Sequence, residues 1–300
     1  LLNFGGSLEY DKIVEWMFDP RISISYHLHK DHTVRFIASR AHRSPSPYEA
    51  YGDTRLVVSG AKGTFDRTFF ADPNLEPERI DTLEVGYLGE IKAARASLDV
   101  RGFREKSPNR IQTVPYALPA SSPDSGDRYV SLTPGNNYPY GRADTPLNLE
   151  DVSIQGYEYQ LRWQPFDTTR LMYGHAYIRT YANLTDENVI ADSPNNIPKI
   201  SRQTSESAPR NSQTAMIMQR LPFNIEASVM YYKSGWMRWR RNSYTSPYER
   251  VDWRLAWPFK IGSSKAEIAY VAQMSNHDME GRRETRIANE MHWFSMRVDF

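Results

Sequence analysis

Apolar and polar residues alternate along this chain in stretch after stretch, and that period of two restricts the possible folds more than any other feature. In "RISISYHLH", Ile22, Ile24, Tyr26 and Leu28 fall on one side, with Arg21, Ser23, Ser25, His27 and His29 on the other. Successive side chains of a strand point to opposite faces, so such a stretch is a ribbon with one apolar and one polar surface. "HTVRFIASRAHR" repeats the pattern with Val34, Phe36 and Ala38 against Thr33, Arg35 and Ser39, Ile37 being out of step. The same alternation marks 83–87, 97–101, 157–163, 225–231, 251–257 and 266–272. Helical spacing fits none of these as well.

The chain stops on such a ribbon. In "MHWFSMRVDF", Phe294, Met296, Val298 and Phe300 share one face and Ser295, Arg297 and Asp299 the other. A tail in water normally frays, so an apolar face kept up to the last residue raises the question of which solvent wets it.

Mean hydropathy is −0.65, and no apolar run approaches the roughly 18 residues of a membrane helix. Aromatics nevertheless make up 13 % of the chain, including 19 tyrosines and 7 tryptophans. A transmembrane β-barrel reconciles the two, because only alternate residues meet lipid while the others line a wet lumen. Charge is balanced, 37 basic against 36 acidic residues, so no nucleic-acid footprint is indicated. The absence of cysteine excludes disulfides, thiolate metal sites and a cysteine nucleophile.

Connections add a rhythm. Short ones are expected near 30–31, 91–93, 165–167, 220–222 and 258–263, and long polar ones near 43–77, 108–148, 183–206, 236–246 and 276–288, in strict alternation. Tight periplasmic turns and long extracellular loops of an antiparallel barrel produce that order. A soluble sandwich also alternates, but its strands average about 5–6 residues; several here are long enough for the roughly 9–11 tilted residues that cross a bilayer. About 11 strands are expected from residue 20 onward, with a further stub in "NFGGSLEY". The terminal face of Phe294, Met296, Val298 and Phe300 then meets lipid, with Phe300 in the periplasmic aromatic belt.

Several motifs carry a family resemblance. "DPNLEPERIDTLEVGY", residues 72–87, is similar to the TonB-dependent outer-membrane receptor motif in which Asn-Pro-x-Leu-x-Pro-Glu leads into a strand with Glu-x-Gly-Tyr. Here Pro73-Asn74-Leu75-Glu76-Pro77-Glu78 is a shortened first half and Glu84-Val85-Gly86-Tyr87 the second. "DPRISISYHLHKDHTVRFIASRAHRSPSPYE", "SLDVRGFREKSPNRIQ" and "IQGYEYQLRWQP" extend the resemblance over essentially the whole chain.

The resemblance implies a barrel of about 22 strands with a plugged lumen. Residues 1–300 are then expected to be the carboxy-terminal portion, about 11–12 strands, with the plug, the first strands and any signal peptide lying outside this stretch. A half barrel is an open sheet whose two unpaired edges lipid cannot satisfy, so the isolated piece is expected to aggregate or to need the missing half. The implied function is TonB-energised uptake, across a Gram-negative outer membrane, of a scarce ligand such as a ferric siderophore or another metal chelate. Implied partners are the TonB complex through the absent amino-terminal region, outer-membrane lipid and lipopolysaccharide, and the barrel-assembly machinery that reads the terminal strand. A passive porin or adhesin barrel is the alternative, and a soluble β protein a third.

Ligand contacts are expected in the extracellular loops: Tyr116, Tyr129, Tyr138, Tyr140 and Arg142 in the longest, and Trp236, Arg238, Trp239, Arg240 and Arg241 in "GWMRWRRN". Arginine beside an aromatic suits an anionic, ring-bearing chelate, although the same residues suit lipopolysaccharide phosphates at a membrane rim. Pro73 and Pro77 should end a loop ahead of a strand, and Glu78 and Glu84 should pair with inward arginines. His27 and His29, about 6.6–7 Å apart along one face, could reach a single metal but lack a third ligand and fit a polar wall. His175, His277 and His292 suggest no ligand set. No phosphate loop or nucleophile elbow is present, so neither enzymatic activity nor a cofactor is expected.

Overall fold

The computed structural model describes residues 1–56, 66–71, 74–117, 142–185, 197–240, 243–276, 279–280, 286–287 and 289–299. Pro73, Tyr129, Tyr138, Tyr140, Arg241, His277 and Phe300 lie outside them.

The strands in chain order begin with β1 (Leu2–Asp11), β2 (Glu15–His29), β3 (His32–Arg43), β4 (Asp53–Leu56), β5 (Asp66–Phe70) and β6 (Glu78–Ile91). Next come β7 (Ala96–Ala117), β8 (Arg142–Phe166), β9 (Thr169–Leu184), β10 (Asn211–Arg220), β11 (Glu226–Ser234) and β12 (Met237–Arg240). The last are β13 (Ser243–Thr245), β14 (Tyr248–Ile261), β15 (Ser264–Ser275), β16 (Met279–Glu280), β17 (Arg286–Ile287) and β18 (Glu290–Asp299). Among the described residues two helices, α1 (Pro47–Tyr51) and α2 (Ile197–Ser205), sit in long connections.

Twelve strands follow one antiparallel path, β1-β2-β3-β6-β7-β8-β9-β10-β11-β14-β15-β18, with β4 and β5 attached at its side. The remaining pairs, β12–β13 and β16–β17, are small hairpins. No second sheet is stacked on this wall among the described residues, which removes the sandwich. The sheet is open, β1 and β18 being the two ends of the path.

Large apolar side chains cover one face and stay uncovered: Phe4 is 84 % exposed, Trp253 51 % and Phe294 77 %. In a water-soluble domain they would be the core. The register keeps the faces separate, as in Tyr231↔Val251, Val229↔Trp253 and Ala227↔Leu255 between β11 and β14. Phe294, Met296 and Val298 extend the apolar face onto β18, opposite Tyr270, Ile268 and Ala266.

The expected tight turns at 30–31 and 165–167 form, the second reduced to 167–168. Those at 91–93 and 220–222 become 3-10 turns, Lys92–Ala94 and Pro222–Asn224, with left-handed residues at Arg95 just after the first and at Phe223 and Asn224 within the second. At 258–263 the turn is only 262–263, because β14 runs through Pro258 to Ile261 and Gly262 alone takes the positive φ.

Two expectations fail. "NFGGSLEY" is no stub: β1 pairs with β2 along its full length. The Lys12–Val14 connection that joins them is short at the end of the sheet where later connections are long, so strict alternation begins only after β2. The segment 108–148 is likewise less loop than expected, since β7 continues to Ala117 and β8 starts at Arg142. Pro108, Pro115 and Pro146 read as breakers, but beyond Lys106 the only pathway partner of β7 among the described residues is β8. Half its N–H groups there face away from the ladder, and proline is tolerated in such edge positions. Pro77 does stand immediately before a strand, β6.

Among the described residues the hydrophobic cluster lies at the long-loop end. Val114, Leu149, Leu184 and Ile200 form a buried cluster with Leu147 against it, joining β7, β8, β9 and α2. Alongside, α1 starts with a capping box, Ser46 accepting from the Glu49 N–H and Glu49 from the Ser46 N–H.

Candidate ligand-binding face

Charges on the polar face are arranged in ladders. Arg35 on β3 donates to Glu84 on β6 at 2.7 Å; Arg101 on β7 lies 3.5 Å from the same carboxylate and 2.8 Å from Glu158 on β8. Four neighbouring strands are thus tied by alternating charges, each carboxylate shared or matched. Nearer the long-loop end Arg43 contacts both Glu78, at 2.6 Å, and Glu49 of α1, at 2.9 Å. Arg110 then lies 3.8 Å from Glu78 and 3.6 Å from Glu150. Glu78 and Glu84 therefore meet inward arginines, as their positions in the sequence suggested.

Glu150 is 0 % exposed. It accepts from the Gln112 amide at 2.6 Å, while its second oxygen has no partner. A register shift between Arg110 and Ile111 leaves Leu149 opposite no residue of β7, so Leu149 and Glu150 are buried side by side. The sequence gives no sign of that burial, because alternation fails at a bulge.

The β12–β13 hairpin belongs to the "GWMRWRRN" segment. Arg238 is 6 % exposed, donates to Glu206 Oε2 at 2.8 Å from Nε and to the Tyr244 hydroxyl at 2.7 Å, and stacks over the Tyr244 ring at 4.2 Å. Trp236 meets the same tyrosine edge-on at 6.0 Å and remains partly exposed. The expected ligand arginine Arg238 is thus committed to an internal pair. Trp239 and Arg240 have their backbones in β12, Tyr116 in β7 and Arg142 in β8. Tyr116 pairs with Ala143, next to Arg142, so the structure brings those two candidates to one ladder.

The histidines serve the wall. His27 pairs with the Thr33 hydroxyl at 2.9 Å, and a register shift separates it from His29. His32 meets the Tyr87 hydroxyl at 2.8 Å, and His292 that of Tyr270 at 2.7 Å. His175 lies between the Tyr157 and Tyr159 rings. Among the described residues no three metal-ligating side chains converge.

Strand order also collects what the chain scatters. Met172, Met216 and Met230 stand in one register row across β9, β10 and β11, on the polar face, flanked by Arg162 and Asp252. Thioether side chains make a deformable apolar surface in the middle of a charged wall.

Residues 1–270 match the family profile described as "TonB dependent receptor-like, beta-barrel". No curated protein sequence matches the chain. Among solved structures, the chain is similar to the ferric enterobactin receptor PfeA of Pseudomonas aeruginosa, at TM-score 0.69 and 13 % identity over 98 % of this chain and 42 % of that one. The siderophore receptor PirA of the same organism gives TM-score 0.61 and 13 % identity over 100 % and 45 %. The FrpB iron transporter of Neisseria meningitidis gives 0.55 and 11 % over 86 % and 35 %. This chain therefore spans less than half the length of each.

Proposed function

The chain belongs to the TonB-dependent receptor-like β-barrel family, and on that premise we propose that it is the carboxy-terminal wall of an outer-membrane receptor for energised uptake of a metal chelate, most simply a ferric siderophore. One observation carries the proposal: a twelve-strand antiparallel wall whose exposed face is apolar from β1 to β18 and whose opposite face is a network of ion pairs. Hydrocarbon is the solvent that such an apolar face requires, and an aqueous lumen suits the other. The names of the similar structures, an enterobactin receptor and a siderophore receptor, favour a ferric chelate as cargo.

The remaining strands and a plug would come from sequence outside these 300 residues, and contact with the TonB complex would come from that region as well. Inside the closed barrel, the row of Met172, Met216 and Met230 would offer the inserted domain an adaptable surface. Chelate would be captured at the long-loop end by Tyr116, Tyr129, Tyr138, Tyr140, Arg142, Trp236, Trp239 and Arg240, with Arg238 holding the hairpin that presents three of them. The β18 face of Phe294, Met296 and Val298, continued by Phe300, would be read by the barrel-assembly machinery. The role is transport, with no bond made or broken in the cargo.

The test is uptake of radio-iron, supplied as catecholate and hydroxamate chelates, by receptor-deficient cells expressing the complete reading frame. Saturable uptake that disappears when the energy-transducing protein is deleted is expected. Uptake that rises linearly with concentration and ignores that deletion would replace the proposal with a passive porin.

A further inference from the structure

On the apolar face, the register lines up three residues far apart in sequence. Arg104 on β7 is opposite Gln155 on β8, and Gln155 is opposite Arg179 on β9. Two strand spacings, roughly 10 Å, separate the two arginine positions. One row toward the long-loop end stand Lys106 and Ser153. One row the other way stand Gly102, Tyr157 and Tyr177, the two tyrosines stacked at 5.6 Å, where the exposed apolar belt begins.

Among the described residues Arg104 and Lys106 have no carboxylate within ion-pair distance, and Arg179 has only the Tyr181 ring, at 4.6 Å. The nearest acids by register are engaged elsewhere. Asp81, opposite Lys106, is held by Arg40 at 2.6 Å and Arg79 at 3.1 Å; Asp151, beyond Ser153, accepts from the Asn109 N–H. Directly below Arg104 lies an apolar concavity of about 600 Å³, with Arg104 at its lip and Phe36, Leu83, Val85 and Gly102 among its walls. It exists partly because Gly102 leaves the space open: a Cβ there would meet only the Gly156 carbonyl oxygen, at 3.9 Å.

We propose that Arg104, Lys106 and Arg179, grouped around Gln155, bind the phosphate of an anionic membrane lipid whose acyl chain lies in the concavity beside Gly102. The site rests on the assignment of this face to hydrocarbon. Unpaired cations at the border of an apolar surface attract phosphate, at a strength set by the number of charges near the membrane plane. Two planar guanidinium groups favour phosphate through paired N–H donors. Gln155 between them adds a neutral donor, and the tyrosines below mark the depth at which headgroup gives way to chain.

The complete receptor, expressed from its full reading frame and extracted into zwitterionic detergent, would be titrated with diphosphorylated lipid A and retained lipid counted by native mass spectrometry. Arg104→Gln/Arg179→Gln is expected to weaken retention by about tenfold or more, whereas Lys260→Gln/Lys265→Gln at the short-turn end should leave it unchanged. Dephosphorylated lipid should bind weakly to all three proteins, and excess inorganic phosphate should not displace lipid A. Gly102→Leu, filling the concavity, should weaken retention while preserving the preference for phosphate. Equal retention by wild type and the arginine variant, an equal loss in the lysine control, indifference to lipid phosphorylation, or displacement by inorganic phosphate would each overturn the site. Recovery of the complete receptor in buffer without detergent would overturn the membrane assignment along with it.

Discussion

Arg238 and Glu206 are joined twice, backbone to backbone at 2.7 Å and side chain to side chain at 2.7–2.8 Å, which fastens the β12–β13 hairpin to the end of α2. Arg238→Ala removes the buried half of this pair and leaves Glu206 short of a partner, at a cost of about 1–3 kcal/mol. Limited proteolysis should then cut within 235–247 well before the sheet is attacked. Chelate affinity should fall because the hairpin moves, and a bound chelate should restore protection. Wild-type proteolysis rates in Arg238→Ala would show that the pair holds nothing in place.

Trp253→Arg and Gln273→Arg place the same charge on opposite faces of adjacent strands, Gln273 standing opposite Asp252. Near the bilayer midplane the first should cost about 2–4 kcal/mol and the second little. Unfolding from lipid vesicles in urea measures the difference. Equal costs would contradict the assignment of faces.

Glu84 is nearly buried and serves two arginines, while Arg35 and Arg101 remain largely exposed. Exposed partners make weak pairs, so Arg35→Gln should cost under about 1 kcal/mol and lose that effect in high salt. Glu84→Gln, which removes the partner of both cations, should cost more than either arginine change alone. Denaturation midpoints at low and high salt give the ranking.

Around α1 the effect of pH has a defined sign. The Arg43 guanidinium donates to Glu49 and holds its carboxyl below the usual glutamate range, against partial burial and with help from the Ser46 N–H. A lowered carboxyl pKa in the folded state contributes stability that is present above the unfolded value, about 4.3, and is lost as pH falls through the folded value. The amides of Ala50 and Gly52, which close the turns of α1, should keep their exchange protection at neutral pH and lose it in acid, after correction for intrinsic rates. Glu49→Gln should abolish the step.

The sequence by itself determined the faces. Alternation of Ile22, Ile24 and Tyr26 with Ser23 and Ser25, or of Phe294 and Met296 with Ser295 and Arg297, fixes which side chains lie together on any extended chain, because side-chain direction in a strand is a local property. The tight turn at 30–31 was legible too, whereas the one expected at 258–263 was narrowed by the structure to 262–263. Only the tertiary structure decided which strands stand side by side and in what register. That choice links Arg101 to Glu158, 57 residues away, aligns Arg104 with Arg179, gathers Met172, Met216 and Met230, and carries β7 and β8 through prolines that read as breaks. It also buries Glu150 and Arg238, whose surroundings come from a bulge and from a distant helix end. Periodicity reports a residue's orientation on its own strand, whereas burial and pairing depend on neighbours that local sequence does not specify.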